Sequence, residues 1–321
     1  MSIVGNNTAG RALPNIGLFG SQSWTPAFSM QAYVYVIGGG GSGAASDDNT
    51  NRSGGGGAAG CAISFLTLLS SVTYTVTIGA GGAQKTPDNA GANGGNSSLS
   101  GSNIATMTAN GGIGGAQSTN SAITGAAGGA ASGGTICNNT GGAGGDVPNT
   151  GGMVSGGGAV GIWGTGNKAE GGGYTAYTSY LGGSLNYPNG FFAAGGGAYG
   201  GTDYGTAGRE ATAPPPVLAP FEVLSTYTSV SYELNNYRRD TTQIQVTAGH
   251  GGYAFGQGSN YGTSVSGPFC GGNGFYGAIN VKGTAGGGGL GAGGGAIFGN
   301  SNSRSGEGGY GAVLIFPVDM G

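Results

Sequence analysis

Alternation of apolar and polar positions survives in only a few short stretches of this chain. Residues 32–37 (AYVYVI) form a β-branched and aromatic run halted by glycines 38–41, the pattern of a strand entering an unusual backbone path. Residues 62–69 and 72–78 follow, divided by Ser70 and Ser71. In the second of these, Thr73, Thr75 and Thr77 alternate with Val72, Tyr74, Val76 and Ile78, which predicts a hairpin with one wet face. A weaker run covers 104–109, and a continuous apolar run closes the chain at 312–318 (AVLIFPV). Pro317 has no N–H for a ladder, so this last strand is expected at a sheet edge or ending there.

Between these stretches periodicity gives way to glycine. GG and GGG steps recur at irregular spacing (111–112, 114–115, 128–129, 133–134, 141–145, 156–158, 171–173, 195–197, 286–289 and 293–295), and 81 of the 321 residues are glycine. Collagen needs glycine at every third position and is excluded; helices are excluded by the glycine density. Glycine- and serine-rich tracts commonly behave as flexible coil. Against that, only 7% of residues are charged, 37% are hydrophobic, and Tyr and Phe recur between the glycine runs, whereas disordered chains stay solvated through Glu, Lys and Pro.

What remains is the extended left-handed polyproline-II-like helix, whose N–H and C=O groups all point outward. Without Cβ atoms, several such segments can lie close enough to bond laterally in all directions. A net gain of about 0.5–1.5 kcal/mol per hydrogen bond then nearly offsets the ~1–2 kcal/mol of backbone entropy lost per residue. The expected fold is therefore all-β and irregular: short strands framing a glycine-rich domain of bundled polyglycine-II helices with connecting loops.

Two regions depart from that composition. Residues 1–31 hold Trp24, Pro26, Phe28 and Met30 without a glycine run and are expected to form an N-terminal docking arm, with Trp24 and Phe28 as attachment residues. Residues 32–321 form the glycine-rich domain, interrupted at 209–248 by a glycine-free insertion rich in Pro and Tyr. Within that insertion, 223–234 and 241–247 suggest a protruding hairpin, which suits a structural clasp and a binding role equally.

A net charge of −3 without a basic block leaves counterion release little to act on, so no nucleic-acid partner is expected. No apolar stretch reaches 18 residues and no basic-then-apolar leader opens the chain, so neither membrane insertion nor export by its own signals is expected. Cys61, Cys137 and Cys270 are odd in number and widely separated; they suit small buried hydrophobes, and their spacing supports no particular disulfide.

Catalytic and cofactor patterns are near misses. Residues 79–86 (GAGGAQKT) place Gln84 where a phosphate loop needs glycine, and Pro87 where its helix must start. Residues 141–149 (GGAGGDVPN) approach a calcium β-roll repeat, but Pro148 takes the apolar position and no tandem copy follows. The single histidine, His250, stands among glycines, and no GxSxG elbow offers a nucleophile. Asp47 and Asp48 are adjacent in a polar stretch, whereas glycosidase carboxylates must face one another. No catalytic residue, metal site or cofactor is expected.

Recognition would then fall to side chains between the glycine runs. Tyr174, Tyr177, Tyr180, Tyr187, Phe191 and Phe192 concentrate aromatic area in 174–192, and Tyr199 and Tyr204 follow. Rings give contact area at low entropic cost and suit sugars and protein loops, although capping of the lattice ends would use them equally well. Polar stretches at 42–53, 84–93 and 300–305 are further candidate loops.

The ordered succession AYVYVIGGGGSGA, GGGGAAG, SSVTYTVTIGAGG, GGNSSL and GGYGAVLIFPV resembles the glycine-rich domains of bacteriophage tail fibres and distal tail adhesins, over most of the chain from residue 32. The resemblance implies stacked polyglycine-II helices whose loops contact a host receptor, a surface glycan or an outer-membrane protein. It also implies a place in the virion at the tail fibre or tail tip beside other tail proteins, as a homotrimer or as a cap on a trimeric fibre. A structural virion component, such as a capsid decoration or fibre spacer, is the alternative. The large N-terminal attachment domain of some such adhesins is not expected, which leaves residues 1–31 as the candidate for attachment.

Overall fold

The computed structural model describes residues 15–47, 52–119, 121–148 and 303–318. Between 154 and 298 it describes 154–155, 157–158, 160–161, 164–166, 168–169, 171–172, 178–180, 185–186, 192–193, 271–272, 274–276, 285, 287–288 and 290–298. In chain order its strands begin with β1 (Ile16–Leu18), β2 (Gln22–Trp24), β3 (Met30–Ile37), β4 (Ala45–Ser46), β5 (Arg52–Ser53), β6 (Cys61–Leu68), β7 (Tyr74–Thr77), β8 (Ser97–Gly101), β9 (Ile104–Ala109) and β10 (Gln117–Ser118). They continue with β11 (Ala131–Ser132), β12 (Cys137–Asn139), β13 (Val154–Ser155), β14 (Gly171–Gly172), β15 (Thr178–Tyr180), β16 (Leu185–Asn186), β17 (Phe192–Ala193), β18 (Gly274–Tyr276), β19 (Ile297–Phe298) and β20 (Ala312–Val318). The fold is all-β, and the described residues contain no α- or 3₁₀-helix.

Two five-stranded sheets, ordered β1-β20-β3-β6-β12 and β11-β9-β8-β7-β2, pack face to face as a sandwich. Period-two alternation sends Met30, Ala32, Val34 and Val36 of β3, Leu68 of β6 and Val313 and Ile315 of β20 inward, against Tyr74 and Val76 of β7, Leu99 of β8 and Met107 of β9. Fully burying a large apolar side chain is worth about 1.5–3 kcal/mol, so this cluster anchors a chain otherwise poor in side chains.

The hairpin expected from 62–69 and 72–78 does not form. β6 pairs with β3 and β12 in the first sheet, while β7 pairs with β2 and β8 in the second. The turn, closed by the Val72 N–H donating to the Leu69 carbonyl at 3.1 Å, carries the chain across the sandwich so that Leu68 and Tyr74 enter one core. The wet face is as expected, since Thr75 and Thr77 are exposed. β20 is not an edge strand: it lies between β1 and β3, and Pro317 is its next-to-last residue. β1 pairs with β20 only over Val313 to Ile315, so the missing N–H costs no ladder bond to that strand.

Residues 16–24, expected in a separate arm, instead supply β1 to the first sheet and β2 to the second. The boundary expected at 31/32 falls inside β3.

Where sandwich strands end, glycine segments begin: 38–45 follows β3, 54–60 precedes β6, 89–95 precedes β8, 110–116 follows β9 and 303–311 precedes β20. Segment 38–45 shows how they bond. Residues 38, 41 and 44 donate their N–H groups to the carbonyls of Gly60, Gly57 and Gly54. Residues 39, 42 and 45 donate to Gly95, Ala92 and Asn89, and residues 40 and 43 to Gly309 and Gly306. Every third residue thus returns to the same neighbour, the threefold screw of a polyproline-II-type helix. On its carbonyl side, Gly39 and Ser42 accept from Gly112 and Gly115, Gly40 from Gly82, and Gly41 and Ala44 from Gly294 and Ile297. Six segments therefore surround this one, three through its donors and three through its acceptors.

Close approach explains the glycine. A Cβ on Gly40 would lie 1.9 Å from the Ala292 carbonyl oxygen, and one on Gly41 would lie 2.1 Å from that of Ile113. At the rim, side chains replace absent neighbours: Asn96 Oδ1 accepts the Gly111 N–H at 2.9 Å and Asn93 Oδ1 the Gly114 N–H at 2.8 Å. Past the far ends of segments 38–45 and 54–60, β4 and β5 enter two four-stranded sheets, β15-β18-β19-β4 and β10-β5-β13-β14.

Candidate functional site

Two surfaces of this frame bear on recognition. The first is the end of the glycine bundle remote from the sandwich. There β4, continuing segment 38–45, pairs with β19, β19 with β18 and β18 with β15. Tyr180 is the last residue of β15, opposite Gly274. Phe192 begins β17 and pairs with Asn186 of β16. Tyr180 and Phe192, expected in segments between the glycine runs, therefore lie in short strands. Tyr174, Tyr177, Tyr187, Phe191, Tyr199 and Tyr204 lie outside the described residues, as do His250, Cys270 and the insertion at 209–248.

Of the candidate loop at 42–53, the described residues 42–46 and 52–53 face inward. Ser42, Ser46, Arg52 and Ser53 are all buried. The Arg52 guanidinium donates from Nε to the Pro148 carbonyl at 3.1 Å and from Nη1 to the Thr119 carbonyl at 3.2 Å, satisfying a buried cation with carbonyl dipoles and tying three chain segments together. Ser42 bonds reciprocally with Ala92: its N–H donates to the Ala92 carbonyl, and its Oγ accepts the Ala92 N–H at 2.8 Å. Nothing in the residue types of 42–53 distinguishes such internal partners from a solvated loop. Ser303 and Ser305, in the candidate loop 300–305, are likewise buried.

The second surface is the outer face of the first sheet. Tyr33 of β3 stands directly opposite Phe65 of β6, ring centroids 5.0 Å apart and tilted by 54°, and both rings are exposed. On the other side of Tyr33, Phe316 of β20 occupies the same row and packs edge-on against Tyr35 at 5.6 Å. A Cβ on Gly17 would meet the Phe19 ring at 2.6 Å; since Gly17 pairs with Leu314 of this face, the exposed Phe19 ring also belongs to it. The pattern AYVYV signals such a face only through Tyr33 and Tyr35, because β-pairing alone supplies Phe65 and Phe316.

Of the residues expected to attach the chain, Trp24 sits in β2 with its ring 5.8 Å from Tyr74, packed against the sandwich core. Phe28 is 36% exposed. Cys61 and Cys137 are free thiols set diagonally on the outer face, Cys137 opposite Ile63 and Cys61 opposite Asn139. Burial pushes both thiols up, and desolvation likewise raises the Tyr35 phenol.

Several polar groups of the two glycine-rich near-miss motifs are bonded within the chain. In 79–86 the Gly79 N–H donates to Ser97 Oγ, the Gly82 N–H to the Gly40 carbonyl and the Lys85 N–H to Ser305 Oγ, leaving no cradle for phosphate from those amides. In 141–149, Asp146 accepts the Gly125 N–H on Oδ1 at 2.9 Å and pairs with Lys168 through Oδ2. Among the described residues no three His, Cys, Asp or Glu side chains cluster as metal ligands, and no helix is long and apolar enough to cross a membrane.

A family model described as a glycine-rich domain matches residues 17–218. The chain belongs to this glycine-rich domain family. The family match opens within β1 and spans both sheets of the sandwich except β20, which inserts between β1 and β3 from beyond the matched residues. It also takes in glycine segments 38–45, 54–60, 89–95 and 110–116. No curated protein matches the chain.

Proposed function

We propose that this glycine-rich chain is a virion surface adhesin of the tail-fibre or tail-tip type that binds a host-cell receptor through segments at the remote end of its glycine bundle. The observation that carries the reading is the continuous backbone linkage from the sandwich through segment 38–45 to the sheet holding Tyr180. Each residue of that segment is bonded to a neighbouring segment, so a binding surface at its end would rest on a stiff support and lose little freedom on binding. The resemblance of the motif succession to phage adhesins supplies the biological setting: a glycan or outer-membrane protein as receptor, other tail proteins as neighbours, and a trimer or trimer cap as the assembly.

Purified chain added in excess is expected to slow adsorption of the particles that carry it, and antibody against it to label the tail end. Adsorption unaffected by saturating chain, or label confined to the head, would replace this reading with a capsid or spacer role.

A further inference from the structure

We infer that the outer face of the first sheet is a binding platform for a neutral saccharide, centred on Tyr33 and Phe65. The two rings are 39% and 41% exposed and sit side by side across adjacent strands, and Phe19 adds a third ring at 63% exposure on the same face. The next row towards the strand ends pairs Gln31 with Thr67, which sets an amide and an exposed hydroxyl beside the rings. Sugar rings present C–H faces that stack on aromatic faces and hydroxyls that pair with amides and hydroxyls.

The five strands of this sheet contain no Asp, Glu, Lys or Arg. A carboxylated or phosphorylated ligand would therefore be desolvated without a partner charge, and a neutral one would not. Area separates a small ligand from a second copy of the chain. At ~200 Å² per ring, the three exposed fractions present about 300 Å² of aromatic surface together, below the ~450 Å² of non-polar area in one partner's share of a standard protein interface. That area suits one or two sugar rings.

The inference does not rest on the virion reading, since it concerns the opposite part of the molecule and needs only the isolated chain. The full chain is titrated with maltohexaose, cellohexaose and laminarihexaose, with hexagalacturonate as the anionic counterpart, and binding is read by saturation-transfer NMR. At least one neutral hexamer is expected to bind, with hexagalacturonate weaker. Tyr33→Ser and Phe65→Ser should each weaken binding about tenfold, the effect of losing one central aromatic contact, while Tyr33→Phe retains it. Phe65→Leu, which keeps an apolar side chain on the sheet, should also weaken binding and covers the case in which the serine variants fold poorly. Absence of signal with all three neutral hexamers, or equal affinity in wild type and Phe65→Leu, overturns the inference. So does sedimentation showing a wild-type dimer that Phe65→Leu dissociates, which would make the face a contact between copies.

Discussion

Gly56 and Gly41 meet backbone to backbone: a Cβ built on Gly56 would lie 2.1 Å from the Gly41 carbonyl oxygen, while the Gly41 N–H donates to the adjacent Gly57 carbonyl at 2.9 Å. No side-chain rotation relieves that overlap, because both contacting groups are main chain held by further bonds. Gly56→Ala is therefore expected to cost about 3 kcal/mol or more, at or beyond the upper end of ordinary overpacking. Gly20, where an added Cβ would meet nothing within 4 Å, is the matched control. Gly20→Ala should change stability by less than ~1 kcal/mol, with stabilisation the favoured sign. Urea denaturation of the two variants side by side measures the contrast, and equal midpoints would refute close backbone packing.

Amide exchange tests the bundle directly. Peptides covering 38–45 and 54–60 should exchange orders of magnitude more slowly than free peptide, since their N–H groups are bonded to other segments and open only with larger units. Exchange of these peptides at free-peptide rates would exclude the bundle.

Tyr74 closes the crossing between the two sheets. Its hydroxyl accepts the Leu69 N–H at 2.9 Å and donates to Asn103 Oδ1 at 2.9 Å, and Asn103 Nδ2 donates to the Thr67 carbonyl. Tyr74→Phe should cost about 1–3 kcal/mol, the penalty for leaving partly buried polar groups unpaired. Combined with Asn103→Ala, the loss should be clearly less than the sum of the two single losses, because the residues share one network.

Thiol accessibility separates the two described cysteines. With Cys61 fully buried and its thiol pushed far up by desolvation, alkylation at pH 8 should reach it only through unfolding. Cys137 is half-buried, and the Asn139 amide partly offsets the desolvation of its sulfur. Iodoacetamide labelling followed by peptide mass analysis should find Cys137 modified first, and the reverse order would contradict the packing of β6.

Acid titration reports on Asp146. Its carboxyl is held below the ordinary range, first by the Gly125 N–H and then by Lys168. The unfolded chain thus binds this proton more readily than the folded one, so the contribution is present above the unfolded pKa of ~3.9 and disappears as pH falls through the lower folded value. The ion pair is solvent-exposed, so its effect should stay below about 1 kcal/mol. Asp146→Asn should flatten the fall in melting temperature between pH 5 and 3, and an unchanged slope would show that the carboxylate contributes nothing.

Much of the sandwich was legible because burial on one face leaves a period of two. Residues 72–78 show it and hold β7, while the unbroken apolar runs at 32–37 and 312–318 and the weaker run at 104–109 became β3, β20 and β9. β8 escaped because Ser97, Ser98 and Ser100 give no apolar alternation around Leu99, and Ser97 is buried for the sake of its Oγ, which accepts the Gly79 N–H. The candidate binding residues were chosen by ring density in 174–192, and ring density carries no information about pairing. Phe65 and Phe19 therefore joined Tyr33 on one face unannounced by their spacing.

By itself the amino-acid sequence determined that the chain would be all-β, low in charge and built on glycine segments that must bond through their main chains, since those properties follow from composition and local steric allowance. Only the tertiary structure decided that the strands on either side of Ser70 and Ser71 belong to different sheets, that β20 fills the gap between β1 and β3, and which six segments surround 38–45. Glycine backbones are chemically alike, so a sequence cannot say which of them meet. Partner choice is made by the few side chains, such as Ser42, Asn93 and Asn96, and by the sandwich core that fixes where each helix starts.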